Sequence, residues 1–181
     1  MTETPQTTGG RTPESLLAEE ADLTLSTCNE LDAIAIGERI LTRAVRDSLP
    51  ITIEVRRGSR VAFRAALPGS TADNDDWIAR KVRTVERFGH SSLYCRVLYE
   101  ANGTTFHETT GLPERDYAAN GGAVPLFAVG TGMAGMAVVS GLPQVDDHDL
   151  VVACIREHRE GLAAAAATAA AAGPEAARPQ T

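Results

Sequence analysis

Cysteine is scarce in this 181-residue chain. Cys28, Cys95 and Cys154 are odd in number, widely spaced and free of any C-x-x-C, which excludes a disulfide framework. They read as core thiols of a reduced, intracellular protein, since free cysteine behaves as a small hydrophobe. No apolar run approaches the roughly 20 residues of a membrane span. The opening MTETPQTTGG has neither a basic n-region nor an apolar h-region, so no signal peptide is readable and a cytoplasmic location is expected. A basic surplus is also missing. The net charge is -7, which argues against nucleic acid as a partner. His90, His107, His148 and His158 form no H-E-x-x-H or other paired-ligand spacing, so no metal site is indicated. Ser140 stands in V-V-S-G, but the G-x-S-x-G of a nucleophile elbow is absent.

What is present is an alternation of helical and strand patterns. Residues 1–12 are Thr/Pro/Gly-rich and expected to be a disordered tail. A short helix over Pro13–Ala21 with Thr12 as cap follows, then a weak edge strand over Asp22–Thr27. Asn29–Asp47 is amphipathic, with Leu31, Ile34, Ile36, Ile40, Leu41 and Val45 on a helical period and Asn29 as cap. Ile51–Val55 and Val61–Ala65 alternate about Arg57-Gly58-Ser59-Arg60. They predict a hairpin with one core face and one wet, Arg-bearing face. Ser91–Tyr99 fits a helix or a strand, the helix preferred. Asn102–Gly122 is a long Gly/Thr-rich connection. Val124–Val129 and Met133–Ser140 flank Gly130-Thr131-Gly132 as a second hairpin, buried on both faces or at an interface. Asp146 or Asp147 can cap a last helix bearing Leu150, Val151, Cys154 and Ile155. The alanine run from Leu162 to Ala172 can extend that helix by propensity. It offers little to bury, so residues 163–181 are assigned to a mostly disordered tail. Two hairpins among helices predict an α+β fold with an antiparallel sheet of four or five strands.

Charge is uneven. Residues 1–30 hold six acids against one Arg, whereas residues 51–90 hold eight Arg/Lys against five acids. Most of the positive charge lies on one predicted helix, Asp73–Phe88. Asp73 is the expected cap, and Asp75 and Asp76 suit the positive end of its dipole. Ile78, Val82 and Val85 form its apolar stripe, flanked by Trp77 and Phe88. Arg80, Lys81, Arg83 and Arg87 occupy the rest. Arg forks bind carboxylates bidentately, and Trp77 offers an apolar wall beside them. A flat organic acid suits that surface. So does a salt-bridged subunit contact with the Asp146–Asp149 cluster of a neighbour. His148, behind two aspartates, is a candidate for a functional contact or a first-turn histidine bonded to a cap. Gly130, Gly132 and Gly135 match G-x-G-x-x-G, but no βαβ unit surrounds them, so a tight turn and close backbone packing are expected instead.

The segments ALPGSTADNDDWIARK, VERFGHSS, YAANGGAVPL and VSGLPQVDDHDLVV, in this order, resemble the heme-degrading-domain family (GlcG/HbpS-like). The likeness is nearest to its branch named as the uncharacterised protein family numbered 0303, and it runs from about Leu16 to Leu162. The resemblance implies one domain over 13–162 with a profilin/PAS-like central antiparallel sheet of about five strands. It implies homo-oligomers built from dimers. Some relatives bind heme and are linked to its breakdown, and a eukaryotic member of the nearest branch is linked to a protein-targeting chaperone pathway.

Three functions follow as expectations. The first is a cytoplasmic homo-oligomeric binding protein for heme or another planar carboxylated molecule, with Asn74, Trp77, Arg80, Lys81, Arg87 and His148 as ligand-binding candidates. The second is a non-enzymatic interaction scaffold with a protein partner. The third is an enzyme acting on a small organic acid.

Overall fold

The computed structural model describes residues 8–172. Most of the expected N-terminal tail and the end of the expected C-terminal one lie outside the described residues. Helix α1 (Pro13–Asp22) starts on a Thr12–Ser15 capping box. Helix α2 (Glu30–Arg46) starts at Asn29, whose Oδ1 accepts from the Leu31 N–H at 2.7 Å. Strands β1 (Thr52–Arg57) and β2 (Arg60–Ala66) form the first hairpin. Helices α3 (Ala72–Phe88), α4 (Ser92–Ala101) and α5 (Phe106–Thr110) follow, the last inside the long Gly/Thr-rich connection. Strands β3 (Ala123–Ala128) and β4 (Gly132–Ser140) form the second hairpin, and helix α6 (Gln144–Ala172) closes the described chain.

The four strands make one antiparallel sheet in the order β2-β1-β4-β3. The expected edge strand at 22–27 is reduced to a single parallel bridge between Leu25 and Ala128. Only Leu25 reaches β3, where its N–H donates to the Phe127 carbonyl at 2.9 Å. Strand alternation divides the core. Ile53 and Val55 of β1, Ala137 and Val139 of β4 and Val124 and Leu126 of β3 pack with α2 and α6 residues such as Ile36, Ile40, Val151 and Ile155. Ala123, Met136 and Val138 point the other way and meet Ile78, Val82 and Val85 of α3. The stripe predicted for α3 is therefore the one that seals the second face of the sheet.

Three local readings change. The Arg-bearing face of the first hairpin is not wet along β1, because α3 and the long side chains of β2 cover it. Glu54 is 0 % exposed there and ion-pairs with Arg56 at 2.6 Å and with Arg64, which in turn reaches Asp75 of α3 at 2.8 Å. The cap of α3 is Thr71 rather than Asp73: its N–H donates to Asn74 Oδ1 at 2.8 Å, and Asp73 and Asp75 sit in the first turn. Helix α6 begins at Gln144, so Asp146 and Asp147 lie inside its first turn rather than capping it; it runs on through the alanines, as their propensity allows, so the tail expected from residue 163 is helical as far as Ala172.

The glycine triplet serves the second hairpin. Gly130 and Gly132 lie at its turn with positive φ. Gly135 faces the Arg56 carbonyl so closely that a Cβ would collide with it, so β1 and β4 can pair there only around glycine.

Candidate functional site

One end of the sheet carries a polar cleft of about 250 Å³. Asn74 and Trp77 from the first two turns of α3, Lys81 one turn on, Asn120 before β3, Ser140 at the end of β4, and Gln144 and Asp147 from the start of α6 line it. Gly141 and Leu142 complete the wall. The sequence produces this convergence simply. Pro68-Gly69 starts α3 and Gly141-Leu142-Pro143 starts α6, so two helices begin beside the end of β4. Both present their N-terminal, positive dipole ends. Asn74 spans the cleft, donating from Nδ2 to Ser140 Oγ at 3.5 Å. The Gly121 N–H donates to Gln144 Oε1 at 3.2 Å and holds the Asn120 loop against α6.

At the floor lies a buried ion pair. Lys81 is 2 % exposed, and its Nζ donates to Asp147 Oδ2 and to the Val139 carbonyl, both at 3.0 Å. Asp147 Oδ1 accepts the Leu142 N–H at 3.0 Å. Two of the three ammonium N–H groups are thereby committed, the third has no partner among the described residues, and Lys81 lines the cleft. Burial pushes the Lys81 ammonium below the usual lysine range, against the opposing pull of Asp147. Burial likewise pushes the Asp147 carboxyl up, against Lys81 and the Leu142 and Gly141 N–H groups. Gly122 makes the arrangement fit. At its φ of 115°, a Cβ would stand 2.7 Å from Lys81 Nζ and 2.6 Å from the Val139 carbonyl.

Of the six candidate residues, Asn74, Trp77 and Lys81 meet in this cleft. Arg80 lies outside it, its guanidinium 3.8 Å above the Trp77 ring and its Nη1 donating to the Glu114 carbonyl at 3.3 Å. Arg87 is exposed at the far end of α3, 6.0 Å from the Tyr117 ring. Arg83 donates to the Asp116 carbonyl at 2.9 Å. The cations of α3 thus do not form one patch: the arginines reach to the 114–117 loop while the lysine turns inward. Of the Asp146–Asp149 cluster expected to meet this helix across subunits, Asp147 pairs with Lys81 within the chain. His148 is 1 % exposed and is not among the residues lining the cleft. Its Nε2 is 2.7 Å from Glu19 Oε1 of α1. An ionised carboxylate only accepts, so Nε2 carries the proton, and the buried Nδ1 has no partner among the described residues.

Asn120 and Gln144 escaped the sequence reading, and Ser140 and Asp147 entered it only as a weak nucleophile and a helix cap. Two signals pointed to them. Lys81 is the only lysine in the chain, beside sixteen arginines. Moreover, all nine lining residues fall in three of the four segments that carry the family resemblance.

Helices on both faces of an antiparallel four-stranded sheet, with a polar cleft where two helices begin, define an α+β protein with a small-molecule-sized site. The chain belongs to the haem-degrading HbpS-like family, whose profile matches residues 29–156. A UPF0303 protein of Streptomyces avermitilis is 48% identical over 142 residues, covering 78% of this chain and 87% of that protein. One from Brucella canis is 41% identical over 145 residues, covering 79% and 85%. Among solved structures, Ybr137w superposes with a TM-score of 0.76 at 30% identity, covering 82% of this chain and 88% of that one. A haem complex of PduOC superposes with a TM-score of 0.60 at 13% identity, covering 73% and 94%. HbpS gives 0.54 at 17%, covering 76% and 94%. These last two likenesses concern the fold.

Proposed function

We propose that this protein is a binding protein for a small carboxylated organic molecule, held in the cleft between α3 and α6. The observation that carries this reading is the Lys81 ammonium, which keeps one N–H for the cleft, between two helix N-termini and beside an indole wall. Carboxylate oxygens are the acceptors that such a donor and two positive helix ends favour. Asn74, Asn120 and Ser140 supply further hydrogen-bonding groups, and Trp77 covers apolar atoms of the ligand.

Haem belongs to the same expected class, and the PduOC complex brings it forward. The cleft does not fit it. Its lining includes no His, Cys, Met or Tyr to ligate iron, and Asp147 is engaged by Lys81. Its volume lies below the ~300–1,000 Å³ of sites for drug-sized ligands. A haem would need another face of the molecule. Assembly into dimer-based homo-oligomers, in the cytoplasm, completes the proposal. Val129 and Met133, exposed apolar side chains at the tip of the second hairpin, support an assembly surface.

Trp77 is the only tryptophan and lines the site, so its fluorescence reports binding directly. Titration with L-lactate is expected to give a saturable change that weakens in Asn74→Leu and Ser140→Ala. A flat titration across small carboxylates would overturn this reading, and a hemin Soret shift that depends on His148 would then favour haem.

A further inference from the structure

Every strong cation of this chain is an arginine except one, and that one is buried at the floor of the cleft against a carboxylate. The difference matters chemically. An arginine stays protonated in proteins, whereas an ammonium can surrender its proton and become a nucleophile. A structural ion pair has no need of that property, and a fork would satisfy Asp147 with more hydrogen bonds. The same nitrogen is confined by Val139, Asp147 and the close backbone of Gly122, so its remaining N–H is the one the cleft can reach.

We propose that Lys81 forms an imine with the carbonyl carbon of a small 2-oxo acid bound in the cleft, with Asp147 as the proton carrier. This rests on the small-carboxylate reading and deepens it: the ligand is given a carbonyl next to its carboxylate. In the step, Asp147 Oδ2 takes one proton from the ammonium 3.0 Å away. The freed amine adds to the carbonyl carbon, forming the C–N bond and breaking the C=O π bond. Asp147 then returns its proton to the carbinolamine oxygen. With a second nitrogen proton, that oxygen leaves as water. The iminium keeps the third proton and faces the re-ionised Asp147. No electrons are gained or lost, and no co-reactant is required. Burial favours the proton transfer, because it disfavours both charged partners of the pair. Asn74, Asn120 and Ser140 are placed to hold the carboxylate, and Trp77 the apolar substituent.

Pyruvate is the probe. The full-length protein is incubated with pyruvate and cyanoborohydride, then peptide-mapped by mass spectrometry. The chain's single lysine makes the result unambiguous, because the α-amino terminus is the only other primary amine. A carboxyethyl group on Lys81 is expected. L-lactate, which matches the size and carboxylate but lacks the carbonyl, is expected to slow the labelling. Asp147→Asn is expected to slow trapping on the order of a hundredfold, the scale of a lost general acid–base. Lys81→Arg, which keeps the charge, is expected to abolish it. If lactate changes Trp77 fluorescence saturably but pyruvate labels only the amino terminus, the imine proposal fails and the binding reading stands. If neither ligand changes the fluorescence and Lys81 is unlabelled, both fail. Labelling of Lys81 that is indifferent to lactate and to Asp147→Asn would also overturn the proposal, since it would be reactivity without a site.

Discussion

The Lys81–Asp147 pair decides how individual residues of the site behave. Removing one partner leaves the other charge buried without compensation. Lys81→Met is therefore expected to destabilise the fold by ~3–5 kcal/mol, read by urea unfolding, with the double change Lys81→Met/Asp147→Leu recovering much of the loss. Equal loss in the single and double variants would show that the pair is not coupled. The cysteines behave in the opposite way, as inert packing. Burial pushes the Cys95 thiol up to about 12 and the Cys154 thiol to about 11. Burial raises Cys28 as well, against the pull of Arg57. Thiolate is the reactive form. No cysteine of the native protein is expected to react with a disulfide reagent at about pH 8, near the usual thiol value, while all three react after denaturation. A native-state thiol count above zero would contradict this.

At the scale of elements, α1 combines one apolar anchor with several polar contacts. Leu16 is its one buried apolar residue, whereas Glu19 meets His148 and Arg11, and Glu20 meets His90 at 2.7 Å and the Ser91 N–H at 2.6 Å. Burial raises the Glu19 carboxyl, but His148 and Arg11 outweigh it and hold it below its ordinary 4.5. A folded value below the unfolded one means that stability is present above about pH 4.5 and is lost as pH falls through the folded value. Melting temperature against pH should thus fall more steeply on the acid side for the native protein than for Glu19→Gln, the two curves converging at low pH. Parallel curves would remove Glu19 from the account. Several other elements were legible for local reasons. The apolar stripe of α3, the Asn29 cap of α2 and the Gly130–Gly132 hairpin turn depend on residues close in sequence. The edge strand expected at 22–27 does not form, although Leu23 and Leu25 alternate like a strand, because only Leu25 finds a partner on β3.

Over the whole molecule, α6 extends well past the core. Leu162 packs against it, but residues 163–171 are exposed. Ending the chain after Leu162 is expected to leave the melting temperature within a degree or two, since surface changes away from packing and caps are worth about ±0.5 kcal/mol. A larger fall would mean that the alanine helix is covered by a partner. The α+β class, both hairpins and the helices α1, α2, α3 and α6 could be read from the sequence alone, because hydrophobic period and turn residues act over a few positions; α5, a single short turn of helix within the 102–122 connection, could not. So could the interest of Asn74, Trp77 and Lys81. Tertiary structure decided that α3 would close the second face of the sheet, that its arginines would part from its lysine, and that His148 would turn to Glu19. It also brought Asn120, Ser140, Gln144 and Asp147 to the lysine. Such contacts join residues more than thirty positions apart, and which charge meets which at that distance depends on how the helices dock, not on the pattern within any one of them.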